Sequence, residues 1–246
     1  MRVYVKALEN IRNRKEGLKP YLLLIEEINR ANVAAVFGET FQLLDRDGNH
    51  VSEYTIHASE DMKKYLSDKL GGNSEDYAEI KIPDNMFIWA TMNSADQGVF
   101  PMDTAFKRRW EFEYIGVDDG ALEVERYIIP VGMGDSRRYV KWNELRTRIN
   151  DILLSDECRA NEDKLLGPFF LSRYMLERAL QDEDRFVESF ESKVIMYLFE
   201  DVMKMRPANI FKGHSGKMIF SEICKTFENS GEGVFGITDM IYERKP

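Results

Sequence analysis

The sequence YLLLIEEINRAN, residues 21–32, decides the fold predicted for this chain. It opens with the apolar run Tyr21–Ile25 and then sets the carboxylates Glu26 and Glu27 side by side before a polar turn. A short apolar run without polar alternation is typical of a strand buried on both faces of a parallel α/β sheet. Open α/β sheets bind ligands at the carboxyl ends of such strands. One carboxylate can hold Mg²⁺ there and the next can polarise an attacking water, although a core strand ending in two solvated acids fits the same pattern.

The composition is that of an ordinary globular protein. The 246 residues are 43% hydrophobic and 31% charged, and no run approaches the length of a membrane span, about 18 apolar residues. The formal charge of −9 argues against a generally basic nucleic-acid-binding surface. Cys158 and Cys224 lie outside any CxxC pattern, which favours reduced thiols over a disulfide or a zinc site. Because no signal-peptide core follows Met1, we expect a cytoplasmic protein that does not associate with membranes.

Two later apolar runs extend the predicted sheet. Residues 86–92 (MFIWATM) form a second buried run that ends at Asn93, and residues 110–114 predict a third strand. Between the first two runs, residues 45–84 combine turn signals, short alternating arms and a helical stretch, which predicts a helix-containing hairpin inserted in the sheet. Helical spacing predicts helices over residues 3–15, 32–44 and 103–109, the last with Asp103 at its start.

A change of pattern near residue 116 predicts a domain boundary. The turn GVDDG, residues 116–120, ends the part with strand signals. Beyond it the apolar residues recur at helical period, which predicts helices over residues 122–129, 142–154, 169–180 and 186–205. We therefore expect an α/β domain at residues 1–116 and a mostly helical domain at residues 117–246.

Four stretches in this order resemble the AAA+ ATPases, specifically the McrB-type branch of modification-dependent restriction systems. LLLIEEINRAN with its following helix is similar to the Walker B segment, and TMNSAD at residues 91–96 is similar to the sensor 1 signature. MDTAFKRRWEF at residues 102–112 resembles the arginine-finger helix and the strand after it, and KLLGPFFL at residues 164–171 resembles the start of the helical lid. The resemblance implies a partial AAA+ parallel sheet with helices, followed by a lid domain.

The resemblance also implies roles at the acidic strand end. Glu27 matches the catalytic glutamate that orients water, and Asn93 matches the sensor that contacts the γ-phosphate or that water. Glu26 stands where the family has the aspartate linked to Mg²⁺, so one methylene is added to the ligand. Arg30 matches the arginine of the family's EINR motif, beside the nucleotide.

The resemblance places finger residues on the third stretch. Arg108 and Arg109 match arginines that reach a neighbouring subunit's nucleotide, where they neutralise charge on the transferring phosphoryl group. A solvated basic helix end is the alternative interpretation. Gln97 stands where an arginine is common in the family, a departure that weakens one expected contact between subunits.

The sequence lacks the phosphate-binding loop GxxxxGK[S/T] that this chemistry needs. We expect that the amino-terminal third of the AAA+ module is absent and that the chain alone is inactive. The resemblance further implies that residues 21–25 and 86–92 are adjacent parallel strands. A strand missing from this sequence would separate residues 86–92 from residues 110–114, so those two should form no ladder unless the sheet has collapsed to close the gap.

Two functions therefore remain open. In the first, the chain is a motor subunit or fragment that uses Mg²⁺ with ATP or GTP, forms a homo-oligomeric ring and drives a partner nuclease, reaching DNA indirectly. In the second, it is a non-catalytic module that completes an AAA+ ring or a partner. A nuclease has little support, since no PD-(D/E)xK-like or histidine-metal pattern accompanies Glu26 and Glu27.

Overall fold

The computed structural model describes residues 1–13, 17–93 and 98–245. The chain divides into two compact units, Met1–Glu113 and Tyr114–Pro246. Within the described residues, no helix is long and apolar enough to cross a membrane.

A two-stranded parallel sheet is the centre of the first unit. Strand β1 (Tyr21–Ile25) pairs with β4 (Met86–Ala90) in the register Tyr21↔Met86 to Ile25↔Ala90. The amphipathic helix α1 (Arg2–Arg12) packs against both strands and buries Val5 and Ala7. The predicted adjacent parallel strands are thereby confirmed, and the predicted first helix is confirmed as far as residue 12, since residues 14–16 lie outside the described part.

The prediction that β1 is buried on both faces was wrong. Alternate residues of the two strands lie on an exposed face, where Leu22 is 45%, Phe87 48%, Leu24 53% and Trp89 65% accessible. The register places Leu22 beside Phe87 and Leu24 beside Trp89. The apolar run correctly indicated a strand, but burial requires a covering layer on each face. In the described residues only one face of this pair has its apolar side chains packed into a core cluster.

A helix-containing insert joins β1 to β4, as predicted. The two-residue strands β2 (Ile56–His57) and β3 (Glu79–Ile80) pair antiparallel, and α3 (Glu60–Leu70) lies between them in sequence. Ser59 begins α3 by accepting a hydrogen bond from the Met62 amide. The predicted single helix over residues 32–44 is instead split by Gly38, at φ 47° and ψ −129°, into α2 (Val33–Phe37) and the 3-10 helix Gly38–Leu44.

The third predicted strand does not form. Helix α4 (Thr104–Lys107) begins as expected at Asp103, whose Oδ1 accepts from the Phe106 amide at 2.7 Å. Residues 111–115 that follow carry no regular structure, and Phe112 and Tyr114 are exposed. They form no ladder with β4, in agreement with the expected separation. The strand prediction was wrong because a strand needs a hydrogen-bonding neighbour, and the described residues supply none here.

The second unit is helical around one antiparallel hairpin. Strands β5 (Ile128–Val131) and β6 (Arg138–Lys141) pair with Ile129 opposite Val140. The helix predicted over residues 122–129 is therefore wrong in its second half. The helices are α5 (Ala121–Val124), α6 (Trp142–Leu154), α7 (Arg173–Arg178), α8 (Glu183–Phe190) and α9 (Phe220–Ser230). Helix α8 continues through the π-helical turns Glu191–Ile195 and Leu198–Val202.

Aromatic side chains and buried polar groups hold this second unit together. Phe190 stacks on Phe227 with ring centroids 4.9 Å apart and meets the edge of Trp142 at 6.3 Å. The amide of Asn150 both donates to the Leu166 carbonyl and accepts from the Leu166 amide. The hydrogen bonds of Asn150 fix the segment 164–171 at Leu166, and the place of this segment in a lid domain stays a prediction.

Candidate functional site

The ends of β1 and β4 are joined beyond the strands by hydrogen bonds to a single residue, Thr91. The Thr91 amide donates to the Ile25 carbonyl at 2.9 Å, and the Thr91 carbonyl accepts from the Ile28 amide at 2.9 Å. Between them, the Glu27 amide donates to the Thr91 Oγ1 at 3.0 Å. The backbone of Glu27 is left-handed, with φ 51° and ψ 50°, which is uncommon for a residue other than glycine. The acidic turn is therefore fixed to the end of the neighbouring strand.

Both carboxylates of the turn are open to solvent. Glu26 and Glu27 are exposed, and the Glu27 Oε2 accepts from the Arg30 Nε at 2.7 Å in a half-exposed ion pair. Solvent screening makes such a pair weak, so it orients Glu27 without holding it rigidly. Arg30 thus lies beside the predicted catalytic carboxylate.

A buried amide links this turn to the sensor residue. Asn29 is 4% accessible, and its Nδ2 donates to the Asn93 carbonyl at 2.8 Å. Its Oδ1 is buried and has no hydrogen-bond partner among the described residues. The Asn29 carbonyl accepts a hydrogen bond from the Phe100 amide at 2.8 Å, which joins the chain after residues 94–97 to the same turn. The structure therefore brings Glu26, Glu27, Arg30 and Asn93 to one edge of the sheet.

Sequence reasoning missed Asn29 and Thr91. Each had a signal. Asn29 is a polar residue inside the motif itself, between the carboxylates and Arg30, and Thr91 is the first polar residue after an apolar strand. Both side chains can pair backbone groups at a turn.

The two adjacent arginines have different environments. The Arg109 guanidinium donates from Nε at 2.9 Å and from Nη2 at 2.8 Å to the Asp45 Oδ2, and it lies 4.4 Å from the centre of the Phe41 ring. Its side chain is only 9% accessible. The Arg108 side chain is exposed, with no hydrogen bond or ion pair within the described part of the chain. Only Arg108 is therefore available, without rearrangement, to contact another molecule.

The acidic side chains at this edge of the sheet determine whether a metal ion fits there. Within residues 1–13, 17–93 and 98–245, no three histidine, cysteine or acidic side chains converge as a metal site. Mg²⁺ commonly takes one or two carboxylates and completes its shell with phosphate and water oxygens. Glu26 and Glu27 fit such a shared site and do not fit a metal site built from protein alone. The end of the sensor-like motif, residues 94–96, and Gln97, where the family commonly has an arginine, lie outside the described residues.

The glycine-rich segment GHSGK, residues 213–217, is a local turn. The His214 Nδ1 lies 2.8 Å from the Thr226 Oγ1, and its Nε2 lies 3.0 Å from the Lys217 carbonyl oxygen. An ideal Cβ on Gly213 would come 1.8 Å from the Gly233 carbonyl oxygen, so this glycine is required by close backbone packing. The segment therefore has a packing explanation that involves no phosphate.

Comparison with known proteins agrees with these observations. Residues 2–110 match the family described as AAA domain, dynein-related subfamily. The chain is 41% identical over 228 residues to the component YdiS of the type II restriction enzyme BsuMI from Bacillus subtilis strain 168, an alignment that covers 93% of this chain and 60% of that relative. It is 31% identical over 109 residues to the type IV methyl-directed restriction enzyme EcoKMcrB subunit from Escherichia coli K12, covering 44% of this chain and 20% of the relative. The chain is a McrB-like AAA+ protein.

Proposed function

We propose that this chain supplies the water-activating part of a nucleoside triphosphatase site in a McrB-like restriction subunit. One observation carries the proposal: Glu27 and Asn93 share one edge of a parallel sheet and are connected through Thr91 and Asn29. Ligands of open α/β sheets bind at that edge. The names of both relatives, a component and a subunit of restriction enzymes, support the assignment of this chain to a restriction system.

Each side chain at the edge then has a task. Glu27 accepts a hydrogen bond from the attacking water and directs it, while Asn93 hydrogen-bonds the γ-phosphate or the same water. Glu26 holds Mg²⁺ together with phosphate oxygens, and the ion neutralises charge on the transferring phosphoryl group. Arg30 keeps the Glu27 carboxylate oriented before nucleotide arrives, through the 2.7 Å contact between Nε and Oε2.

Arg108 acts as the finger toward a neighbouring subunit, and Arg109 supports it. The proposal for Arg108 is supported by its exposed position at the end of α4. Arg109 was also a candidate finger, but its contacts with Asp45 and Phe41 make it part of the fold. This division of tasks implies a ring of identical subunits in which one subunit's arginine meets the next subunit's nucleotide.

The chain alone is proposed to be inactive. Its 246 residues contain no phosphate-binding loop. That loop supplies several charge-assisted hydrogen bonds, each contributing about 1.5–3 kcal/mol, so affinity for nucleotide falls by orders of magnitude without it. In the complete system we propose ATP or GTP as the nucleotide, a partner nuclease, contact with DNA through partners, and a cytoplasmic location. Residues 117–246 would serve as the lid.

Hydrolysis tests the proposal directly. The chain is incubated with ATP or GTP and Mg²⁺, alone and with a segment that carries a phosphate-binding loop. We expect background release of phosphate from the chain alone and turnover in the mixture, abolished by Glu27→Gln and unaffected by the matched change Glu53→Gln at an exposed glutamate. Turnover that survives Glu27→Gln would reject the assigned chemistry.

A non-catalytic assembly module is the second candidate. The exposed apolar face formed by Leu22, Leu24, Phe87 and Trp89 favours it, since large exposed apolar patches usually mark contact surfaces. The same mixture distinguishes the two functions. Tight association that is weakened by Trp89→Thr, without turnover in any combination, would favour the assembly module over the hydrolase.

A further inference from the structure

We propose that Thr91 is a positioning residue whose hydroxyl fixes the left-handed backbone of Glu27. The effect of Thr91 on catalysis rests on the proposed function, whereas its effect on the backbone of Glu27 is independent of that function. The Glu27 amide donates to the Thr91 Oγ1 at 3.0 Å, although the two residues are 64 positions apart in sequence. The side chain of Thr91 thus determines the conformation of the turn that carries the proposed water-directing carboxylate.

The backbone of Glu27 needs such support. A left-handed conformation places Cβ close to the following carbonyl oxygen in any residue except glycine, so it persists where surrounding contacts enforce it. At Glu27 the values are φ 51° and ψ 50°. The direction of the Glu27 side chain follows from this conformation, because in an extended backbone the alternation of β1 would continue and place its Cβ on the opposite face.

The hydroxyl of Thr91 and the backbone of Thr91 have different roles. The Thr91 amide and carbonyl pair with Ile25 and Ile28 at 2.9 Å each, and any amino acid except proline can supply those two groups. Among the groups of residue 91, only a side-chain acceptor can pair the intervening Glu27 amide, in a contact that is open to solvent. Serine keeps this acceptor, whereas valine has the shape of threonine without it.

The Glu27 side chain has a separate partner. Its carboxylate meets Arg30 three residues later, in an exposed ion pair of modest strength. Thr91 therefore acts on the backbone and Arg30 on the carboxylate. Loss of the Thr91 hydroxyl would leave the ion pair in place, so the two contributions can be separated experimentally.

Amide hydrogen exchange in the full chain tests the contact. We compare wild type with Thr91→Val and Thr91→Ser, and use Thr147→Val as a matched control, since the Thr147 hydroxyl donates within its own helix, to the Asn143 carbonyl. In Thr91→Val the Glu27 amide should exchange about fivefold faster, the effect of losing one net hydrogen bond, while the Ile28 amide is unchanged. Serine should restore protection. The strong contact between the amide and α protons within Glu27, the NMR signature of positive φ, should weaken only in the valine variant. Unchanged exchange and unchanged φ in Thr91→Val would overturn the proposal.

Turnover in the mixture with a phosphate-binding segment tests the consequence. Thr91→Val should lower kcat about fivefold, with little change in KM, and Thr91→Ser should restore it. A normal kcat in Thr91→Val despite faster exchange would remove the positioning role. If no variant, including wild type, shows turnover, the proposed function fails, and the exchange result by itself still decides whether Thr91 fixes Glu27.

Discussion

Arg109 and Arg108 should affect stability very differently, although they are neighbours of the same type. In Arg109→Ala the Asp45 carboxylate, 24% accessible, loses a partner that donates from two nitrogens at 2.8 and 2.9 Å. Breaking a fully buried ion pair costs about 3–5 kcal/mol, and the partial exposure of Asp45 reduces this to roughly 2–3 kcal/mol. The lost contact with the Phe41 ring adds about 0.5–1 kcal/mol. We therefore expect Arg109→Ala to lower the free energy of unfolding of the first unit by about 2–4 kcal/mol.

Arg108→Ala is the matched control. Its side chain is exposed and unpaired within the described part of the chain, so truncation should change the free energy of unfolding by no more than about 0.5 kcal/mol. Urea-dependent hydrogen exchange, measured by mass spectrometry on the peptide covering residues 102–113, reports on this unit alone. A double-mutant cycle with Asp45→Asn should give a coupling free energy of about 1–2 kcal/mol. Equal destabilisation by both arginine variants, or none by Arg109→Ala, would refute the division between them.

Three further outcomes are expected. Glu27→Asn should raise the free energy of unfolding in urea by about 0.5–1 kcal/mol, because asparagine tolerates the left-handed backbone better than glutamate. The same change should end hydrolysis, since it removes the carboxylate. A loss of stability would contradict this prediction. Burial, followed by two neighbouring carboxylates, raises the pKa of Glu191 from 4.5 to about 7. The folded state therefore holds this proton more tightly than the unfolded state, and the free energy of unfolding falls as the pH rises from 4.5 to 7. Glu191→Gln should remove this loss: with allowance for partial exposure, the free energy of unfolding should rise by about 1–2 kcal/mol at pH 8 and stay unchanged at pH 4. The control Glu200→Gln, at an exposed glutamate, should keep the wild-type pH profile. In the active mixture, Arg108→Ala should slow hydrolysis by on the order of 10³-fold with nucleotide binding changed much less, and a wild-type rate would remove the finger assignment.

Local signals in the sequence identified the elements that depend on local physics. The apolar runs at Tyr21–Ile25 and Met86–Ala90 formed strands, and their parallel pairing agrees with the resemblance. Ser59 and Asp103 begin helices because their side-chain oxygens pair amides three residues later. The carboxylates after β1 could likewise be expected at the edge of the sheet, since strand ends are fixed by pairing register.

Features that depend on distant partners could not be read from the sequence. Burial of both faces of β1 needs a second covering layer, and the predicted strand at residues 110–114 needs a hydrogen-bonding neighbour; neither is a property of those residues themselves. Asp45 selects Arg109 over Arg108 from 64 residues away, and Thr91 holds Glu27 from the same distance in sequence. The residue types in the motif indicated a chemistry, whereas the division between a packed Arg109 and an exposed Arg108 is visible only in the structure.

That division follows from the geometry at the end of α4. Successive residues of a helix are rotated by about 100°, and Arg108 still has helical dihedral angles where it follows α4, so the side chains of Arg108 and Arg109 leave the chain in different directions. At this helix end one of them meets Asp45 and the ring of Phe41, and the other meets solvent. A guanidinium that already pairs with a carboxylate must break that pair before it can reach a phosphate, whereas an exposed one needs no such step. Truncation of the two arginines should therefore separate two properties: the change at Arg109 should be measured first as lost stability, and the change at Arg108 as lost rate at unchanged stability.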